Sequence, residues 1–144
     1  MLDLPEQRLF RRLGVFVGGC TLEAVERVCD MDGDLALDAL DGLQSLLDKS
    51  LLQQREGVDG AARFHLLETI CEYALEQLAA SGELEPLRRR HASFFVALAE
   101  AANPALIGPQ QLTWMNRLEM ERPNLWAALV WCFETEDKRQ ATTD

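Results

Sequence analysis

Positive charge is scarce in this chain: 14 Lys and Arg stand against 24 Asp and Glu, a formal net charge of −10 over 144 residues. That excess of anions repels nucleic acid and anionic lipid, which excludes a generally basic nucleic-acid binder. Long apolar runs are missing as well. The longest, such as Ser93-Phe94-Phe95-Val96-Ala97-Leu98-Ala99, extend over a few residues, where a membrane span needs about 20. The opening Met1-Leu2-Asp3-Leu4-Pro5 carries neither the basic residues nor the apolar stretch of a secretory leader, so a cytoplasmic protein without membrane contact is expected. Closely spaced cysteines are absent too. Cys20, Cys29, Cys71 and Cys132 lie 9, 42 and 61 residues apart, whereas zinc ligands come in pairs about two to four residues apart. Each sits among apolar neighbours and is expected to be a reduced core residue, in keeping with a reducing compartment. No Gly-x-x-x-x-Gly-Lys-Ser/Thr loop, Gly-x-Ser-x-Gly elbow or His-Glu-x-x-His pair occurs. The expectation is therefore a non-catalytic chain with no metal and no cofactor of its own.

What is present is the composition of a folded protein. Apolar residues make up 48% and charged residues 26%, in a length that suits one medium domain or two small ones. Helical spacing dominates. Pro5 suits a first helical turn, and Leu9, Phe10 and Leu13 follow on one face up to Gly14. After the break at Gly18-Gly19, Thr21 can cap a short second helix bearing Leu22, Val25 and Val28. Asp34 is placed to cap a third, with Ala36, Ala39, Leu40, Leu43, Leu46 and Leu47 at three-and-four spacing. The period then changes. Residues 51–55 and 62–66 read as an antiparallel hairpin turning at Asp59-Gly60. Leu67, Ile70, Cys71, Ala74, Leu75 and Leu78 stripe a fourth helix that ends at Ser81-Gly82.

Three helices, a hairpin and a fourth helix is the order of a winged-helix domain, assigned to residues 1–82. Residues 83–144 read as further helices. Leu84, Leu87, His91, Phe94, Phe95, Leu98 and Ala102 share a face as far as Asn103-Pro104. Leu112, Met115, Leu118 and Met120 mark a second helix closed at Pro123. Leu125, Ala128, Leu129 and Phe133 mark a third, followed by a polar tail from Glu134 to Asp144. The expected class is mainly α, a winged helix followed by TPR-like antiparallel helices resembling the start of an α-solenoid. Leu106, Trp114, Trp126 and Trp131 are too apolar for a finished surface, as in a chain cut from something longer. The tryptophans themselves are expected in the core.

A winged helix first suggests DNA, because its third helix commonly enters the major groove and needs Lys and Arg for phosphate contact. Here residues 34–49 carry Asp34, Asp38, Asp41 and Asp48 against Lys49, and the wing offers Arg55 and Arg63 against Glu56 and Asp59. Direct DNA reading by this helix is not expected; a DNA-binding winged-helix regulator and a plain protein-interaction scaffold are the alternatives. Arg88-Arg89-Arg90 is the one concentrated basic run. It reads as a solvated helix face, with a docking point for an acidic neighbour as the sharper reading.

Several stretches resemble a known family. Residues 4–24, Leu4-Pro5-Glu6-Gln7-Arg8-Leu9-Phe10 through Gly18-Gly19-Cys20-Thr21-Leu22-Glu23-Ala24, are similar to the segment after the ATPase core in bacterial signal-transduction ATPases with numerous domains (STAND). That family includes predicted ATPases and large LuxR-type and SARP-type regulators. Leu43-Gln44-Ser45-Leu46-Leu47-Asp48-Lys49-Ser50-Leu51-Leu52, Arg63-Phe64-His65-Leu66-Leu67-Glu68-Thr69-Ile70-Cys71-Glu72-Tyr73-Ala74, Arg88-Arg89-Arg90-His91-Ala92 and Leu118-Glu119-Met120-Glu121-Arg122-Pro123-Asn124-Leu125-Trp126-Ala127-Ala128-Leu129 continue the likeness. The resemblance implies a regulatory lid over residues 1–82 that packs on a nucleotide-binding core of the parent protein and passes its ADP/ATP state to helical sensor repeats. Related switches carry a Met-His-Asp motif whose His touches the β-phosphate of ADP. Phe64-His65-Leu66 occupies that place, with Leu66 instead of the acid, so His65 is the implied nucleotide contact. An imidazole N–H can donate to a phosphate oxygen, and protonation adds charge attraction.

Overall fold

The computed structural model describes residues 2–30, 35, 38–57, 61–105 and 108–143, with side chains described except at 103–105 and 137–143. Helix α1 (Leu4–Leu13) begins at a reciprocal capping box. The Asp3 carboxylate accepts the Glu6 N–H at 2.9 Å, Glu6 reaches back to the Asp3 N–H, and Pro5 stands in the first turn, where its missing N–H has no helical partner to lose. Its inner face buries Leu9, Phe10 and Leu13, each worth about 1.5–3 kcal/mol once removed from water. The chain then crosses Gly18-Gly19 into a two-residue strand, β1 (Cys20–Thr21). The Thr21 hydroxyl caps α2 (Leu22–Ala24), which passes directly into a π-helical turn over Val25–Cys29.

Helix α3 (Ala39–Asp48) starts later than its apolar spacing suggests. Asp38 is extended (ψ 131°) and its carboxylate accepts the N–H groups of Leu40 and Asp41, so the cap is Asp38 and not Asp34. Asp34 and Ala36 lie outside the described residues. Strands β2 (Leu52–Glu56) and β3 (Ala62–Leu66) pair antiparallel from Leu52↔Leu66 to Glu56↔Ala62. The expected turn at Asp59-Gly60 falls outside the described residues. On the other edge of β3, β1 pairs Cys20 with Phe64 and Thr21 with Arg63, giving a three-stranded sheet in the order β1-β3-β2. That third strand is too short to show a period in sequence. Arg63 and Phe64 are successive residues of β3 and both are buried, so the central strand is covered on both faces.

Helix α4 (Glu68–Ser81) lies so close to the end of α1 that a Cβ on Gly14 would come within 2.8 Å of the Leu75 backbone nitrogen. Three helices follow: α5 (Leu84–Ala105), α6 (Gln111–Met120) and α7 (Arg122–Thr143). Asn103-Pro104 does not end α5, which continues to Ala105. Pro123 belongs to the first turn of α7, and the expected polar tail is helical to Thr143, since Glu, Lys, Arg and Gln are good helix formers. Contacts of Glu85 with Trp131 and of His91 with Asn124 show α5 and α7 running antiparallel.

One hydrophobic core crosses Gly82. It joins Leu9, Val25, Leu43, Leu46 and Phe64 to Leu87, Ala92, Phe95, Leu98 and Ala128. Arg12 and Arg90 are among the arginines that tie the same halves together. Arg12, with 0% of its surface exposed, donates from Nη1 to the Cys29 carbonyl at 2.7 Å and from Nη2 to Glu83 Oε2 at 2.7 Å. Arg90 donates to the carbonyls of Arg27 (2.8 Å) and Val28 (3.2 Å). The orphan carbonyls at the end of the π turn are thus held by cations, the sign its dipole favours. Burial works to raise the Glu83 pKa, but hydrogen bonds and charge from Arg12 and Arg11 outweigh it and the pKa is lowered. Replacing Arg12 with Met keeps the volume and strips these bonds from a buried site. Urea titration is expected to show a loss of about 2–4 kcal/mol, against less than about 1 kcal/mol for Arg11→Met at its partly exposed position.

Candidate functional site

The winged helix offers two places where function could reside: the outward face of α3, and the recess beside His65. On α3 the exposed residues are Asp38, Leu40, Asp41, Gln44 and Asp48. Lys49, at the end of the helix, donates to Glu6 Oε2 at 2.6 Å, and Ser45 donates to the same oxygen at 2.5 Å. Those bonds hold the Glu6 pKa at about 2, so the lysine is neutralised from within. The preceding α2 adds exposed Glu23, and the π turn after it adds exposed Glu26 and Arg27. Arginines that could have built a cationic ridge point inward: Arg12 and Arg90 to backbone carbonyls, Arg63 to Glu121. Arg90 therefore departs from the solvated-face reading of the basic run; its partner is the carbonyl end of the π turn and not an acidic surface.

His65, on β3 opposite Gln53, lies half-buried against the glycine loop. Gly19 has φ +94°, and a Cβ there would stand 2.6 Å from His65 Cε1 and 2.7 Å from Nδ1. The ring thus rests on bare backbone, and Gly19 is needed both for its left-handed conformation and for that approach. Beside it is a recess of about 80 Å³ lined by Phe16, Gly18, Gly19, Cys20, Phe64 and Cys71, among others. Burial first, and then the charges of Arg55 and Arg63, lower the His65 pKa, so at neutral pH the ring is uncharged and keeps one N–H to donate. Leu66 supplies no acid to orient it.

A third cluster escaped the sequence reading. Arg63 Nη2 donates to Glu121 Oε1 at 3.0 Å, and Asn124 Nδ2 donates to the same carboxylate at 3.3 Å and to the Gly19 carbonyl at 3.0 Å. Asn124 Oδ1 accepts the Val17 N–H at 2.7 Å and stands 3.1 Å from His91 Nε2. Because Oδ1 can only accept, His91 carries its proton on Nε2 in this contact. All four side chains are buried, and the His91 ring packs on Phe95 at 4.7 Å and Phe16 at 5.7 Å between centroids. Burial lowers the His91 pKa, and Arg88 adds to it; the Asn124 hydrogen bond and the Glu121 charge oppose without reversing the shift. All four lie in stretches that carry the family resemblance, but nothing in those stretches pointed to their meeting.

The cysteines are free; Cys20 and Cys29 are buried, with Cys20 pushed up to about 12 and Cys29 well above its ordinary value, chiefly by burial. Cys20 and Cys29 are inert thiols. Among the described residues no group of acids, His and Cys could hold a metal ion, and no helix is long and apolar enough to cross a membrane. Trp114 and Trp131 are half-buried, but Trp126 is 68% exposed, contrary to its expected place in the core. Leu106 lies outside the described residues.

Two measurements check this geometry. Gly19→Ala is expected to cost about 1–3 kcal/mol in denaturant titration, and adding His65→Ala should recover only part, since the clash goes and the strained φ stays. For His91 the folded pKa lies below the ordinary 6.5. Its contribution to stability is thus complete above that value and is lost as pH falls through the folded pKa, at up to about 1.4 kcal/mol per pH unit. Urea titrations between neutral and mildly acidic pH should show that decline, His91→Gln should reduce it to the part that His65, also lowered, contributes, and the His91 ring proton should titrate below 6.5 by NMR.

Residues 2–79 match the family described as "Winged helix-turn-helix domain", which is more than half of the chain. Over 138 residues, 93% of its length, the chain is 43% identical to a protein of Mycobacterium tuberculosis named "Putative HTH-type transcriptional regulator Rv0890c", and equally to its similarly named relative Mb0914c in Mycobacterium bovis. It is 35% identical over 92 residues, 63% of this chain and 23% of the relative, to the uncharacterized protein Rv0894 of Mycobacterium tuberculosis. The chain spans only 15% of the length of the two regulators it matches. No solved structure matches it. With the three helices, the β2–β3 wing and the closing helix in place, the chain belongs to the winged helix-turn-helix domain family.

Proposed function

We propose that this chain is a non-catalytic regulatory part of a larger transcription regulator. Its winged helix packs against another part of the same protein and does not itself read bases. The observation that carries this is the charge on α3: Asp38, Asp41 and Asp48 face outward, and the adjacent Lys49 is held by Glu6. A phosphate backbone set against that face meets several anions and little compensation. The STAND-type resemblance names the partner of this reading as a nucleotide-binding core in the parent protein, with α5 to α7 beginning the TPR-like helical repeats. His65 would then offer its N–H to the β-phosphate of ADP. The recess beside it, about 80 Å³, has room for a phosphate-sized group, so the nucleoside would rest on residues of the core.

Direct DNA binding is the second reading, and the comparisons with known proteins favour it: the family is a helix-turn-helix one, and the mycobacterial relatives are named as transcriptional regulators. The two readings separate in a salt-dependent gel shift with the 144-residue chain. No retardation of mixed-sequence duplex at low salt is expected; tight binding with a steep salt slope would overturn the proposal. In a longer protein carrying the nucleotide-binding core, His65→Ala is expected to weaken ADP about tenfold, the worth of one good hydrogen bond to a charged group. Unchanged affinity would remove His65 from the reading.

A further inference from the structure

The His65 ring has no hydrogen-bond partner among the described residues, so its orientation depends on what it lies against, the backbone of Gly19. That backbone has no side chains of its own to hold it. Gly18 and Gly19 are both left-handed, with φ of +75° and +94°, and such a loop is fixed through its main-chain N–H and C=O groups. Asn124 takes two of these at once. A side-chain amide offers a donor and an acceptor in one rigid plane, and here Nδ2 donates to the Gly19 carbonyl at 3.0 Å while Oδ1 accepts the Val17 N–H at 2.7 Å. Pro123 closes on the glycine between them: a Cβ on Gly18 would stand 3.1 Å from Pro123 Cγ.

The strand is held from the same place. Arg63 and His65 are two residues apart on β3 and share a face of the sheet. Arg63 Nη2 donates to Glu121 at 3.0 Å and to the Gly18 carbonyl at 3.4 Å. Glu121, Pro123 and Asn124, at the start of α7, therefore fix both the loop under the ring and the residue beside it on the strand, although no described residue of α7 lines the recess. We infer that the start of α7 sets the seat of His65, with Asn124 as the positioning residue. A displacement of α7 passes through the Val17–Gly19 loop to the ring and changes how its N–H is presented. The functional weight of this coupling rests on the reading of His65 as a nucleotide contact; the coupling itself belongs to the 144-residue chain.

NMR titration of both histidines in that chain, with Asn124→Ala, tests it. The two rings are expected to move in opposite directions. His91 loses the Asn124 bond that favours its charged form, so its pKa falls further below 6.5; His65 gains water as the loop is released, so its pKa rises toward 6.5. The nuclear Overhauser contact between His65 and Gly19 should weaken. Leu43→Val, which loosens the core on α3, should move neither ring. An unmoved His65, both rings rising together as in general loosening, or an equal shift with Leu43→Val overturns the inference. Should Asn124→Ala not fold, Asn124→Ser repeats the titration. In the unaltered chain the Asn124 side-chain amide protons should exchange at least about tenfold more slowly than those of exposed Gln44, and equal exchange overturns the inference too. In a longer protein carrying the nucleotide-binding core, Asn124→Ala should weaken ADP and add nothing once His65→Ala is present; full additivity overturns the coupling. ADP affinity indifferent to both variants, with the His65 ring still moving, removes the nucleotide reading and upholds the coupling.

Discussion

The Arg63–Glu121 ion pair, closed off from water together with Asn124 and His91, is the constraint around which the rest is arranged. Taking two charges out of solvent costs several kcal/mol apiece, and mutual attraction offsets that only when the remaining lone pairs and protons also find partners. Here they do. Glu121 accepts from both Arg63 and Asn124, and Asn124 spends its other groups on the Gly19 carbonyl, the Val17 N–H and His91. Among the described residues no buried side-chain nitrogen or oxygen lacks a partner. A strand, a glycine loop and two helices therefore share one set of hydrogen bonds, and none can move alone without stranding a charge.

The same logic explains the acidic exterior. With few cations in the chain, turning Arg12, Arg63 and Arg90 inward leaves the solvent-facing side of the helix-turn-helix predominantly to aspartate and glutamate, with Arg27 and the Glu6-bound Lys49 as the exceptions among the described residues. Electrostatics and architecture are thus coupled: the arginines that join the winged helix to α5 and α7 are the ones a groove reader would have presented to phosphate.

Much of the architecture was legible because it rests on local rules. The period of Leu43 and Leu46, the alternation ending at Leu66, and the cap at Thr21 announce their elements directly. Where prediction and structure part, the cause is tertiary. The apolar spacing put the cap of the third helix at Asp34, and the extended backbone at Asp38 sets the start of α3 there instead. Pro123 reads alike as the end of one helix or the start of the next. Strand β1 exists because β3 has a free edge, which no pair of residues can reveal by itself. The buried quartet was invisible for a related reason: Arg63, His91 and the Glu121/Asn124 pair are far apart in sequence, and although His91 falls on an apolar helix face, nothing local tells which polar groups meet it there. His65 was found by resemblance; that its ring would lie on Gly19 could not be read from either position alone.

Arg12 and Arg90 grip the π turn by main-chain oxygens alone, those of Cys29, Arg27 and Val28. A carbonyl is the same atom whatever residue bears it, so this joint is indifferent to side-chain identity on the outer surface of the turn. Glu26 and Arg27, both outward-facing, can accordingly diverge among descendants of this chain without loosening the seam between its halves. Variation there would track whatever the domain leans against, while the geometry that presents those positions persists.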